Sequence, residues 1–507
     1  MVVKLNGSQG GHFASSPEAD AHRAMPDSGG PLAASGFDLK ALLDARAHEM
    51  MDLHEQYINP AVTGVLKTIG FDATYVRGQG AYLFDDRGNR YIDCLGGYAV
   101  FACGRNHPVI RAAITQAMDM DLPSLPGVGL FRTAGLLAES LVKIAPGELG
   151  KVMFASAGGE AVDIALKMAR IATGRTRIVH CARSYHGLTI GSLSVTGNPE
   201  FRDGFGPLLA DVVEIPFNDL PAIEQALAGN NVAAFIVEPI QGKGVNIPHE
   251  AYLKSVADLC TKHGTIFIVD EIQTGMGRTG RWWASEHDGA GSTWQPDIMV
   301  IGKAMGGGYC PLSAVLCRDW IHTKVFPGMA QSAKIQNTFS MYDTGMVAAL
   351  ATLHVMRQER IVENARDVGA HLLAGLSAMV GKHEMVKSVR GRGLMIGVEF
   401  GRPSSLALKL GWDALHKLDA NLFCQAILMP LMSEHKILAQ VAGYKLDNIK
   451  LIPPLVLSKA DADVVISAMN KAVASCHRFP GPAWEVGARL TAAAAKRFVP
   501  RQSAAKI

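Results

Sequence analysis

Two residues near the middle of the chain carry the plainest chemistry. Asp270 closes the run Phe267–Val269, and Lys303 follows the run Ile298–Ile301, 33 positions further on. Both runs are short, β-branched and uncharged, which reads as buried parallel strands. In an open α/β sheet, reacting groups gather beyond the carboxyl ends of the strands. An acid and a lysine delivered to that edge suit pyridoxal phosphate (PLP). The lysine holds such a cofactor as a Schiff base, and the acid keeps its pyridine nitrogen protonated so that the ring accepts electrons. A solvated lysine at a strand end is the ordinary alternative. The strand context and Gly306-Gly307-Gly308 count against it.

Other junctions of the same kind surround this pair. Lys151–Phe154 reads as a strand, followed by Ser156-Ala157-Gly158-Gly159-Glu160 and a helical pattern. The N–H groups of Gly158 and Gly159, at a helix start, form a natural phosphate seat, although a Gly-Gly turn alone is ordinarily just a tight turn. The strand-like Arg177–His180 precedes Ser184-Tyr185-His186-Gly187, and an aromatic there offers a flat wall to a flat cofactor. Val232–Val237 ends in Glu238-Pro239-Ile240-Gln241-Gly242, again an acid after a buried strand, where it could equally be a strand terminator.

Asp270-Glu271-Ile272-Gln273-Thr274-Gly275-Met276-Gly277-Arg278-Thr279-Gly280 with Gly302-Lys303-Ala304-Met305-Gly306-Gly307-Gly308 resembles the signature of class III PLP-dependent aminotransferases, the ornithine, acetylornithine and ω-amino acid type. The resemblance runs from about Tyr75 to Ser467. It implies a fold type I α/β architecture, with a three-layer large domain on a mainly parallel sheet and a smaller split α+β domain. It also implies roles. Lys303 is the Schiff-base lysine, Asp270 the partner of the pyridine nitrogen, and Tyr185, followed by His186, the aromatic on the ring face. Gly158 and Gly159 hold the phosphate, Glu238 edges the substrate pocket, and Gln273 lies near the ring oxygen. Asn337-Thr338-Phe339 resembles a motif whose threonine reaches the phosphate of the neighbouring subunit, so Thr338 implies a homodimer with shared active sites. Lys450, in Asn448-Ile449-Lys450-Leu451-Ile452-Pro453-Pro454-Leu455, stands where ornithine-type members carry a carboxylate-clamping arginine. It is expected either to face the substrate or to turn out into solvent.

The implied reaction is transfer of an amino group from glutamate or ornithine to an aldehyde or keto acceptor. The apolar stretch Leu422–Gly443 and the missing arginine favour a bulky, lipid-like aldehyde, as in a subgroup that aminates hopanoid tails. The alternatives are an ornithine, acetylornithine or diamine transaminase, or an aminomutase, racemase or decarboxylase on the same scaffold. A non-catalytic PLP-binding protein is disfavoured by the intact Lys303.

The remaining chain must position these groups. At 507 residues, 48% apolar and 19% charged, it can hold two or three domains with substantial cores. A net charge of +3 makes no case for nucleic acid or an anionic membrane. Eight cysteines without a CxxC pair argue for reduced thiols in the cytoplasm, with neither disulfide framework nor metal site. No apolar run reaches the length of a transmembrane segment. The expected order is a disordered leader (1–35), an N-terminal segment of the small domain (36–129), the large PLP-binding domain (130–356), the C-terminal small domain (357–479) and a tail (480–507). Within it, helical patterns run from Leu39 to Leu66, Ala134 to Ile144 and Lys459 to Cys476. A hairpin turns at Asp86-Arg87-Gly88-Asn89, and Val389–Phe400 reads as a glycine-punctuated strand entry. Arg390 and Arg392 within it are candidate carboxylate binders, with structural roles as the plainer reading.

Overall fold

The structure, a computed structural model, describes residues 36–69, 71, 73–126, 129–418, 422–442 and 447–477. The expected leader and tail lie outside the described residues. Residues 67–507 form one compact unit, and a separate unit ends at Leu66. In the described part of the latter, the helical pattern is realised in pieces, Leu39–Ala45, Met50–Tyr57 and a helix starting at Pro60. Proline breaks the run because it lacks an N–H for the preceding turn and fits a first helical position. Asn59 Oδ1 accepts the Ala61 N–H at 2.9 Å and caps the new start.

Within the larger unit the chain opens with β1 (Tyr75–Gln79), β2 (Tyr82–Asp85) and β3 (Arg90–Asp93), the last two forming the expected hairpin. A seven-stranded sheet follows. Its strands are β4 (Lys151–Ala155), β5 (Arg177–Cys181), β6 (Val212–Ile215), β7 (Val232–Val237), β8 (Ile266–Asp270), β9 (Ile298–Ile301) and β10 (Ser313–Cys317). Their order is β4-β10-β9-β8-β7-β5-β6, with β10 antiparallel to both neighbours and the others parallel.

Every residue of β7, β8, β9 and β10 is buried, which is why these runs carry no polar alternation. Successive side chains serve opposite faces. Ala234, Ile236, Ile266, Ile268, Ile298 and Val300 pack with the helix Gly158–Thr173, whereas Phe235, Val237, Phe267 and Val269 pack with the helix Tyr252–His263. The result is three layers.

Register then does the positioning. Val237 pairs with Val269 and Asp270 with Val300, so the ends of β7, β8 and β9 are level. Glu238, Asp270 and Lys303 therefore leave the sheet from three adjacent strands at one edge.

The C-terminal part forms a four-stranded sheet, β11-β12-β15-β14, from β11 (Val386–Arg392), β12 (Met395–Phe400), β14 (Gln440–Val441) and β15 (Asn448–Leu451), while β13 (Ile437–Leu438) joins β3. The stretch expected as a single strand entry is thus a hairpin. Gly393 turns it at φ +53, and a Cβ there would lie 2.5 Å from the Thr279 carbonyl carbon. The hairpin tip therefore packs directly on the backbone that follows β8. The last helix, Lys459–Cys476, matches expectation and is capped by Ser458.

One cap is not local. The helix Tyr252–His263 has Ala251 at its N-cap, which offers no side-chain acceptor. Asp288, from a turn 36 residues past the start of that helix, accepts instead from the N–H groups of Ala251 (2.7 Å), Leu253 (2.7 Å) and Lys254 (3.2 Å). Asp288→Ala removes three charge-assisted bonds at a helix N-terminus, and a loss of about 2 kcal/mol is expected. Denaturation midpoints of wild type and variant check this, and an unchanged midpoint would remove Asp288 from the cap.

Candidate active site

Asp270 and His186 form the buried centre of the sheet edge. His186 Nδ1 lies 2.7 Å from Asp270 Oδ2, and the N–H of Ile272 donates to Asp270 Oδ1 at 3.0 Å. With a carboxylate as acceptor, Nδ1 is the protonated ring nitrogen. His186 Nε2 is buried without a partner. Both carboxylate oxygens are thus held, and the carboxylate's orientation is fixed by backbone and imidazole together.

Glu238 is equally enclosed. It accepts from the N–H groups of Tyr185 (2.9 Å) and Gly242 (2.7 Å), and burial pushes its carboxyl up from the usual range. Its partners are backbone donors because the chain turns back sharply after Pro239.

Lys303 begins a tight turn with φ +42, a left-handed conformation that non-glycine residues avoid. Its half-buried amine has no hydrogen-bond partner among the described residues. Burial lowers its basicity, and Asp270 and Glu238 act in the opposite sense.

Around this centre, the half-buried Tyr185 meets Phe201 edge to face at 5.3 Å, with Lys243 Nζ 4.8 Å above the Phe201 ring and 6.0 Å from that of Tyr185. Gly158 and Gly159 are the first two residues of their helix, and no side chain caps its N-terminus. A Cβ at Gly187 would come 2.7 Å from the Gly159 Cα, so the wall opposite is also pared to glycine.

Lys450 gives the clearest answer to an open expectation. It does not turn outward: it is 4% exposed, on β15, with Nζ donating to the Gly242 carbonyl (2.8 Å) and Gln273 Oε1 (3.3 Å). Burial, with Lys303 and Lys243 nearby, brings its amine down to about 7. Gln273 in turn donates to the Tyr98 carbonyl at 3.3 Å.

One further expectation holds and another changes. Arg390 takes the structural role: it pairs with Glu399 and donates to the carbonyls of Val245 (2.9 Å) and Gly244 (2.6 Å). The apolar stretch after Leu422 is core. Phe423, Cys424, Ile427, Leu428 and Leu431 are buried in the main cluster, with the Phe423 ring 4.5 Å from Trp412. Its apolarity therefore no longer argues for a bulky substrate. Thr338 is exposed on this chain. Lys243 was missed by sequence reasoning, although the charged residue in Gln241-Gly242-Lys243-Gly244, just past a strand-end acid, was a usable signal.

The residues present fit PLP. An amine without a partner, a strand-end carboxylate held rigid, an aromatic wall and an uncapped helix start between glycines are the donor set that such a group requires. Among the described residues no cluster of side chains suits a metal ion.

Comparison with known proteins agrees with this geometry. Residues 67–473 match the model of the class-III aminotransferase family. Aminotransferase PigE of a Serratia strain is 31% identical over 483 residues, 89% of this chain and 56% of that protein. The chain thus spans little more than half of that relative's length. Acetylornithine aminotransferase of Methanosarcina acetivorans is 36% identical over 398 residues, 78% of this chain and 90% of that one. The crystal structure of ornithine aminotransferase from Toxoplasma gondii superposes with a TM-score of 0.73 at 29% identity, covering 87% of this chain and 99% of that one.

The buried Lys450 amine has a thermodynamic signature. Its basicity falls from the ordinary 10.5 to about 7 on folding. Below about pH 7 both states are charged, and the folded state carries the full penalty. Between about 7 and 10.5 the unfolded state binds more protons, so this residue makes stability rise with pH. Lys450→Met removes that contribution. The stability difference between wild type and variant should then change by about 1.4 kcal/mol per pH unit across the window. Urea midpoints at pH 7, 8 and 9 measure it, and parallel curves would show that the amine is not depressed.

Proposed function

The chain belongs to the class III aminotransferases, and from that premise we propose that it moves an amino group from an amino acid donor, glutamate or ornithine, to an aldehyde or keto acceptor. The reading is carried by one observation: an unpartnered lysine amine at the end of β9 beside the anchored carboxylate at the end of β8. PLP, when bound, supplies an electron sink that stabilises negative charge on the carbon bearing the amino group.

The roles of the protein follow from its own atoms. Asp270, oriented by His186 and the Ile272 N–H, would hold the proton on the pyridine nitrogen. Tyr185 would offer the ring an aromatic wall, and the N–H groups of Gly158 and Gly159 would hold the phosphate. Lys303 Nζ would hold the cofactor's aldehyde carbon until the donor amine displaces it; the freed amine would then carry a proton from the donor's amino-bearing carbon to the cofactor's former aldehyde carbon. A lysine of lowered basicity suits that task, because its neutral form is the competent base. Gln273 and Glu238 bound the space above the ring, and Lys450 presents a point charge to a substrate carboxylate. A lipid-like aldehyde remains one acceptor to test, without support from the core helix Leu422–Ser433.

We extend the reading to a homodimer with shared sites, in which the exposed Thr338 meets the phosphate of the neighbouring copy. The division into a large domain (130–356) and a small domain is supported by the sheets, since all seven strands of the large one lie between Lys151 and Cys317. Eight free cysteines favour a reducing compartment such as the cytoplasm.

Lys303→Ala should abolish both the borohydride-reducible attachment of PLP and the amine-driven conversion of PLP to pyridoxamine phosphate. A reducible attachment persisting in the variant would move the reactive lysine elsewhere. Conversion by donor amine alone in the wild type separates amino transfer from racemisation or decarboxylation. Mixing Lys303→Ala chains with Thr338→Ala chains tests the shared site. If Thr338→Ala alone is inactive, subunit exchange should restore one competent site per mixed dimer, and its failure to do so would place each site within one chain.

A further inference from the structure

The loop Glu238–Asn246 is pinned at several points along its backbone. Glu238 accepts from the Gly242 N–H and Lys450 donates to the Gly242 carbonyl. Asn448 Nδ2 and Arg390 both donate to the Gly244 carbonyl at 2.6 Å, and Arg390 also reaches that of Val245. Gln241 ties the loop to the Ala182 carbonyl at 2.8 Å and to Asn246. A residue on such a backbone is fixed in direction, and at the centre of the loop stands Lys243.

Its ammonium group lies over the Phe201 ring beside Tyr185. No carboxylate comes within 4.0 Å of it among the described residues. Lys450 lies on the other side of Gly242, also without a carboxylate at that distance. Of the three acids nearby, Glu238 is engaged by two N–H groups and Asp270 by His186 and a backbone N–H, while Glu200 acts on Lys243 only from beyond 4.0 Å. Three lysines, Lys243, Lys303 and Lys450, thus share this region with two carboxylates satisfied elsewhere and with Glu200 at a distance. With Lys303 given over to the cofactor, two amines still have no carboxylate within ion-pair distance among the described residues. Desolvated cations of this kind are costly unless an anion completes them.

We propose that Lys243 is a specificity-determining residue that receives a second anionic group of the substrate, so that the site is built for a dicarboxylic amino acid and its keto acid. This rests on the aminotransferase reading and narrows its donor. Lys450 takes the carboxylate next to the reacting carbon, and Lys243 takes the distal one. The aromatic floor under Lys243 covers the methylene groups between them. Burial lowers the basicity of Lys243, and a distal carboxylate would oppose that shift as Glu200 and Glu238 already do.

The experiment follows the two half-reactions spectroscopically in the holoenzyme. The PLP form is mixed with glutamate or 2-aminobutyrate, and the pyridoxamine form with 2-oxoglutarate or 2-oxobutyrate. The ratio of kcat/KM for the dicarboxylic over the monocarboxylic compound should fall at least about tenfold in Lys243→Met, which corresponds to about 1.4 kcal/mol. It should recover partly in Lys243→Arg and fall further in Lys243→Glu. Equal losses for both compounds would make Lys243 a structural residue, and an unchanged ratio would remove it from recognition. If the wild type converts with simple amines but with none of these acids, the inference falls and amino transfer stands. If no amine converts the cofactor, both fall.

Discussion

A carboxylate at the end of a fully buried strand cannot draw its hydrogen bonds from water, and the loops beyond β7 and β8 are shaped by that requirement. Leaving a buried carboxylate unpaired costs several kcal/mol. The chain answers by turning back on itself. After Glu238 it curls so that Gly242 donates to the acid, while Tyr185 donates from the neighbouring strand's loop. After Asp270 it presents the Ile272 N–H, and His186 completes the second oxygen. Glu271, pointing the other way, takes the N–H groups of Ala284 (3.1 Å) and Ser285 (2.8 Å). The same bonds that satisfy the acids set the paths of the segments carrying Tyr185, Gln273 and Lys243. The site is thereby a consequence of how the sheet edge is closed.

The cations are treated in the opposite way. Lys303, Lys450 and Lys243 find carbonyls, amides, rings or nothing, and in each case burial lowers the basicity of the amine. Arg278 shows the structural version of the same economy. It is fully buried, donates to the carbonyls of Leu394 (3.0 Å) and Pro453, and clamps the hairpin tip and β15 against the loop after β8. Both bonds leave one terminal nitrogen, Nη1, while Nη2 is buried without a partner. A lysine so placed keeps an amine that is readily neutral or ready for an anion. That difference separates Arg278 from the three lysines.

Much of this was legible in the sequence because it is local. Uninterrupted apolar runs mark strands buried on both faces, so β7, β8 and β9 emerge almost to the residue, and the groups that follow them fall at one edge of the sheet. The uncapped glycine helix start and the last helix are equally local. What escaped depends on partners distant in the chain. Whether Lys450 faced solvent was decided by the pairing of β15 with β12, which no periodicity in a four-residue strand records. The partners of Glu238 come from a turn whose path is set by the acid itself. The apolar stretch after Leu422 misled because composition cannot tell a core-facing helix from a pocket lining; only its packing on Trp412 and Phe400 settles that.

The turn Gly96–Ala99 shows how far the arrangement extends. Gly96, Gly97, Tyr98 and Ala99 all have positive φ, a left-handed turn in which each non-glycine residue costs about 1–2 kcal/mol. Asp93 accepts from the N–H groups of Leu95 (3.1 Å) and Gly96 (2.8 Å), so the entry to the turn is held by β3. A Cβ at Gly96 would lie 2.3 Å from the Ile452 carbonyl oxygen, so the turn presses on the residue that follows the strand carrying Lys450. Its exit is held by Gln273, whose amide bridges the Tyr98 carbonyl and the Lys450 amine. The strained backbone, the buried amine and the loop of Lys243 are therefore joined through one side-chain amide and one carbonyl.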